Sequence, residues 1–193
     1  MKAERRKRRM KLALVLAALA ALALLLFSGC GSKKSSGELV DELANRNKPR
    51  AGQPSGVDMS VINQGNSLWQ NQAYRTAAEQ ALAGVNAQRQ ANGMAPLRWD
   101  DNLAACGMIR AAELPSSFSH TRPNGQDWYT VCPPLMYGEN LAKGYSSPDS
   151  AVQAWMNSPT HKQNILTAGF VSCGIGVYES GGTWYWGQEF GYY

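Results

Sequence analysis

The chain has 193 residues, with 19 Lys and Arg against 14 Asp and Glu. Residues 1–29 hold seven of those bases and one of the acids, so residues 30–193 carry 12 bases, 13 acids and a net charge of −1. The basic balance belongs to the extreme N-terminus, and the remainder lacks the positive field that a nucleic-acid partner requires.

The first segment reads as an export signal. Arg5 to Arg9 and Lys11 form a basic start, Leu12 to Phe27 an unbroken apolar run, and Ser28-Gly29-Cys30 a small-residue step onto a cysteine. That order is a secretory signal and is set apart from the fold. Its apolar run is shorter than the ~20 residues of a spanning helix. Cys30 resembles the lipidated cysteine of a bacterial lipobox, with Phe27 where Leu is usual. The expectation is a signal peptide over 1–29. The mature chain would then be exported and anchored to the outer face of the bacterial membrane through lipid on Cys30.

Residues 30–70 read as a flexible linker. Lys33-Lys34-Ser35-Ser36-Gly37 and Asn47 to Gly56 are polar and broken by Pro and Gly, and no apolar period is sustained. Such a segment buries too little surface to offset its ordering entropy. Residues 71–193 have the length of one ordinary domain.

Within that domain Tyr74 to Asn92 predicts a helix. Ala77, Ala78, Ala81, Leu82 and Val85 recur at helical steps, and Gly93 suits the left-handed position past its end. Asn86 and Arg89 share a face, where Arg89 is expected to tie the helix to a loop. A second helix starts at Asp100 or Asp101, carries a stripe through Leu103, Cys106, Gly107, Arg110, Ala111 and Leu114, and stops at Pro115. Cys106 is read there as a core-facing thiol. Asn124-Gly125 marks a tight turn and Pro133-Pro134 an extended backbone, so 121–137 is expected to be irregular. Ser147-Pro148-Asp149 opens a third helix that buries Val152, Trp155 and Met156 and ends at Ser158-Pro159.

The C-terminus changes period. Val171 to Tyr178, the Ser180-Gly181-Gly182 turn and Thr183 to Phe190 read as a hairpin, with Trp184, Trp186, Gln188 and Phe190 on one face. Gly174, Gly176 and Gly187 point to close packing against the sheet. Helices first and strands last predict an α+β fold with an antiparallel sheet.

If Cys30 carries lipid, Cys106, Cys132 and Cys173 remain, and one disulfide or none is possible. No CxxC or CxxxC pair exists, which argues against a thiolate zinc cluster. The two histidines, His120 and His161, flank Glu139 in sequence. Two imidazoles and a carboxylate are the usual side chains of a divalent-metal or acid–base site.

The residues around them carry a resemblance. Val85-Asn86-Ala87-Gln88-Arg89, Phe118-Ser119-His120-Thr121-Arg122-Pro123, Gly138-Glu139-Asn140-Leu141-Ala142, Trp155 to Leu166 and Gly174-Ile175-Gly176-Val177 occur in order. Together they make residues 72–193 similar to the CAP superfamily, or SCP domain, in its short bacterial form. The resemblance implies an α-β-α sandwich around a small, mainly antiparallel sheet. It also implies a central cleft lined by two histidines and two glutamates that can hold a divalent cation, often zinc. His120, Glu139 and His161 match three of those four groups, while the second glutamate would fall near Ser158, where there is no acid. The implied metal ligands are His120, His161 and Glu139, with Glu139 either a ligand or the acceptor that orients an imidazole. The same three would be catalytic in an enzyme. The preferred reading is a non-enzymatic binding module whose cleft takes a lipid or a cell-envelope fragment. A metal-assisted hydrolase acting on peptide or envelope material, and a structural protein of the envelope, are the alternatives.

Overall fold

A computed structural model describes residues 54–193. The expected signal peptide, the lipidated Cys30 and the linker as far as residue 53 lie outside the described residues. Among those described, no helix is long and apolar enough to cross a membrane.

Numbered along the described residues, the helices are α1 (Met59–Ser67), α2 (Gln72–Ala91), α3 (Asp101–Glu113), α4 (Pro148–Asn157) and α5 (Pro159–Ile165). The strands are β1 (Arg98–Trp99), β2 (Gly138–Lys143), β3 (Ser172–Ser180) and β4 (Thr183–Gly191). The sheet order is β1-β3-β4-β2. Only the short β1–β3 pair is parallel; β3–β4 and β2–β4 are antiparallel. The α+β sandwich with a mainly antiparallel sheet is therefore present.

Helix starts follow local chemistry. Asn71 caps α2 by accepting from the Tyr74 amide, Asp100 caps α3 by accepting from Asn102 and Leu103, and Ser147 caps α4 by accepting from Ser150. Each such bond satisfies an amide that a helix start leaves free. Gly93 holds φ +73 at the end of α2, where a side chain would be strained.

The two faces of the sheet are covered differently. One core joins α2, α4 and α5 to Cys173, Ile175, Val177, Trp186 and Phe190. On the other face α3 lies almost against the strands. A Cβ on Gly174 would stand 2.0 Å from the Ala104 amide nitrogen, and one on Gly176 2.3 Å from the Gly107 carbonyl carbon. The expected close packing at these glycines is thus a helix backbone resting on a strand backbone. Residues Asn102 to Ala111 of α3 are all buried, because α1 covers its far side.

Helix α1 falls inside the segment expected to be linker. Asp58 caps it, and Ile62 and Gly65 are its buried residues, with Gly65 seated on the Ala105 backbone. Nine residues with two buried positions make no sustained period, and so short a helix depends on tertiary contact. That contact is with α3, which the sequence of the segment does not reveal.

Cys106 is not a free core thiol. It bonds to Cys132 across a sequence separation of 26 residues, fastening α3 to the loop after a single 3-10 turn, Trp128–Val131. Cys173 stays reduced and buried, and burial pushes its thiol pKa up. Closing a loop of 26 residues restricts the unfolded chain by about 3.5 kcal/mol. Replacing both Cys106 and Cys132 by Ser is expected to lower unfolding stability by an amount of that order, read from urea titrations. Adding reductant to the native protein should reproduce the loss, and the variant should not respond to it.

Candidate functional site

Arg110 is the one charged side chain on the inner stripe of α3, and it is fully buried. Its Nε donates to Glu139 Oε2 at 2.7 Å, and its Nη2 reaches Glu139 Oε1 at 3.4 Å. The same Nη2 donates to the Ser119 carbonyl at 2.7 Å, and Nη1 donates to Glu113. Burial works against the charged guanidinium, but the bonds to Glu139 and the Glu139 charge outweigh it and raise its pKa. Arg122 closes the network from outside, donating to Glu113 Oε1 through Nε at 3.0 Å and Nη2 at 2.8 Å.

Glu139 is the second residue of β2, with a side chain only 1% exposed. Besides Arg110 it meets His120, whose Nδ1 lies 2.7 Å from Glu139 Oε1. The His120 ring itself is 55% exposed. A carboxylate on one ring nitrogen orients an imidazole and fixes which nitrogen carries the proton. The structure thus joins His120 and Glu139 directly.

His161 is the third residue of α5, held from behind. Buried Asn140 donates through Nδ2 to the His161 carbonyl at 3.1 Å and to Gln188 Oε1 at 2.9 Å. Asn164 donates to Asn140 Oδ1 at 2.9 Å and to the Glu139 carbonyl at 3.1 Å. These bonds dock α5 on the outer edge of β2. Burial lowers the His161 pKa, and the nearby His120 lowers it further.

The residues present do not fit a three-ligand zinc centre. Among the described residues, no three His, Cys, Asp or Glu are gathered so as to hold a metal ion together. Both Glu139 oxygens are engaged, by Arg110 and His120.

Behind Glu139 stands a second acid. Glu189 is its cross-strand partner on β4 and is fully buried. Among the described residues, no hydrogen-bond donor reaches either of its carboxyl oxygens. Burial and then the Glu139 charge raise its pKa well above the usual carboxylate range. Arg110 did carry a legible signal, a charge on an apolar stripe, which buried helices tolerate only when it is paired.

In front of α5 lies an open cleft of about 410 Å³. Phe118, Leu141, Tyr145, Trp155, Ser158 and His161 form most of its wall, with Lys143 at the side. Of the three expected site residues, His161 lines this cleft, while His120 and Glu139 are not among its lining.

A three-layer sandwich with a mixed four-stranded sheet, an oriented His–Glu pair and a second histidine on the following short helix defines a domain of SCP type. Residues 82–190, more than half of the chain, match the sequence profile of the CAP group, the cysteine-rich secretory protein family, and the chain belongs to that family. It is 35% identical over 107 residues to the protein YkwD of Bacillus subtilis, covering 52% of this chain and 42% of YkwD. Its fold is similar to an extracellular SCP-domain protein of Bacillus anthracis, with a TM-score of 0.55 and 26% identity over 62% of this chain and 41% of that one. An outer surface protein of Borrelia burgdorferi shares the fold at a TM-score of 0.52 and 21% identity, over 58% of this chain and 90% of that one. The chain spans less than half the length of YkwD and of the Bacillus anthracis protein.

Proposed function

We propose that this chain is an exported, membrane-tethered binding module whose cleft takes a small, largely apolar ligand of the cell envelope. The observation that carries this reading is the cleft of about 410 Å³, walled by Phe118, Leu141, Tyr145 and Trp155 with His161 as a polar anchor. A concave, mainly apolar site with few polar groups, of a volume between roughly 300 and 1,000 Å³, is what small-molecule sites share. Export is supported by the N-terminal basic and apolar order, by the Cys106–Cys132 disulfide, which belongs to an oxidising compartment, and by similarity to an extracellular protein. Lipid on Cys30 would supply the tether.

Binding of envelope lipids and glycans to the wild type, His161→Ala and Tyr145→Ala tests this. Removing the Tyr145 ring or the imidazole is expected to weaken the ligand by about tenfold, as loss of a buried anchor does. Affinity unchanged in both variants removes the cleft from the account. One observation favours a second reading as acid–base machinery, the 2.7 Å His120–Glu139 pair. That reading requires turnover of an envelope or peptide substrate that Glu139→Gln abolishes.

A further inference from the structure

The Cys106–Cys132 disulfide lies beneath α1. Ile62 of α1 belongs to the buried cluster that holds both cysteines with Leu103, Ile109 and Leu135. Val57, Asp58 and Val61, where α1 begins, face Cys132, Pro133 and Pro134 across a cavity of about 40 Å³. That space takes a few waters and no thiol reagent. Yet α1 is held by little. It has nine residues and two buried positions, Ile62 and Gly65, while Asn63, Gln64, Asn66 and Ser67 are exposed. A Cβ on Gly65 would stand 2.1 Å from the Ala105 carbonyl oxygen, so its seat on α3 depends on the absence of a side chain. A helix this short is unstable alone, and an element with few buried contacts opens before the rest of a fold.

We propose that α1 is a removable cover over this disulfide, so that a dithiol reductant reaches Cys132 only after α1 has lifted from α3. Cys132 lines the cavity and Cys106 does not, which makes Cys132 the sulfur under attack. A thiolate of the reductant bonds to Cys132 Sγ, the Cys106–Cys132 bond breaks, and Cys106 leaves as a thiolate that takes up a proton. The second thiol of the reductant then displaces Cys132 from the mixed disulfide. The reductant ends as a disulfide and both cysteines as thiols. The segment so released from α3 runs back through Arg122 to His120 and forward into β2 and Glu139. The cover therefore guards the loop that carries the candidate site.

The test mixes the full chain, oxidised and held in detergent micelles, with dithiothreitol. Timed samples are quenched with a maleimide, and the label is counted on the peptides that contain Cys106 and Cys132. Gly65→Ala is expected to speed reduction about tenfold or more, because attack follows the population of the open state when α1 recloses quickly. Ile62→Ala leaves the Gly65 contact in place but removes the other buried anchor, and it should act in the same direction. Asn63→Ala, on the exposed face of α1, should leave the rate unchanged. Val152→Ala weakens the core on the opposite face of the sheet. It is expected to lower global stability without changing the rate of reduction. Wild-type rates in both Gly65→Ala and Ile62→Ala overturn the inference. Equal acceleration by Val152→Ala also overturns it, since reduction would then pass through global unfolding.

Discussion

Arg110→Met is expected to lower unfolding stability by about 3–5 kcal/mol, the cost of leaving a buried charge without its partner. Arg110 and Glu139 are 0% and 1% exposed, so solvent cannot replace the lost bonds. The methionine fills similar volume, so the loss reports on charge and hydrogen bonding rather than on a cavity. Three elements let go at once: Glu139 on β2, Glu113 at the end of α3, and the Ser119 carbonyl next to His120. Adding Glu139→Gln to Arg110→Met should recover part of the loss, because the stranded charge is then gone. Urea unfolding of the single and double variants forms the cycle that isolates the pair. A loss under about 1 kcal/mol in the single variant would mean that the pair contributes little.

Glu189→Gln is expected to stabilise the protein at neutral pH and to flatten its pH dependence. Burial and the Glu139 charge raise the folded pKa of Glu189 well above the value of the unfolded chain. Below the unfolded value both states hold the proton, and the stability that Glu189 contributes is fully present. Above it the unfolded chain releases the proton while the folded chain keeps it. Stability then falls as pH rises, by up to about 1.4 kcal/mol per pH unit, until the folded acid also ionises. Glutamine has nothing to release. Unfolding free energies of both proteins from mildly acidic to mildly alkaline pH check this. A wild-type slope that survives in the variant would assign the dependence to another group. The same comparison shows whether Glu189 steadies the Glu139–His120 pair, read as the His120 ring signals across the titration.

Much of the fold was legible because its elements carry strong local chemistry. The Ala and Leu period with Gly93 marked α2, the Asp100 and Ser147 caps opened α3 and α4, and the alternation around Ser180-Gly181-Gly182 marked the β3–β4 hairpin. Arg89 likewise does what its place on the helix suggested. It donates to the carbonyls of Ala95, Ile165, Thr167 and Phe170, fixing the loops that follow α2 and α5. Strand β2 was less legible. Gly138-Glu139-Asn140 buries two polar side chains and alternates poorly, and it is a strand because β4 pairs with it and side chains occupy its other edge. Helix α1 and the Cys106–Cys132 bond escaped for a common reason: each joins segments whose nearness only folding creates.

For the site the division is sharper. The sequence by itself determined which side chains are available: two imidazoles, a carboxylate between them, and family membership through five short motifs in order. Only the tertiary structure decided how they are used. It set Arg110 under Glu139, so that the carboxylate is held between that guanidinium and His120. It also placed His161, not His120, on the cleft. Residue type and spacing specify chemistry that a chain could perform. Which lone pairs remain open depends on what a distant helix brings within hydrogen-bonding reach, and that follows from packing across the sheet.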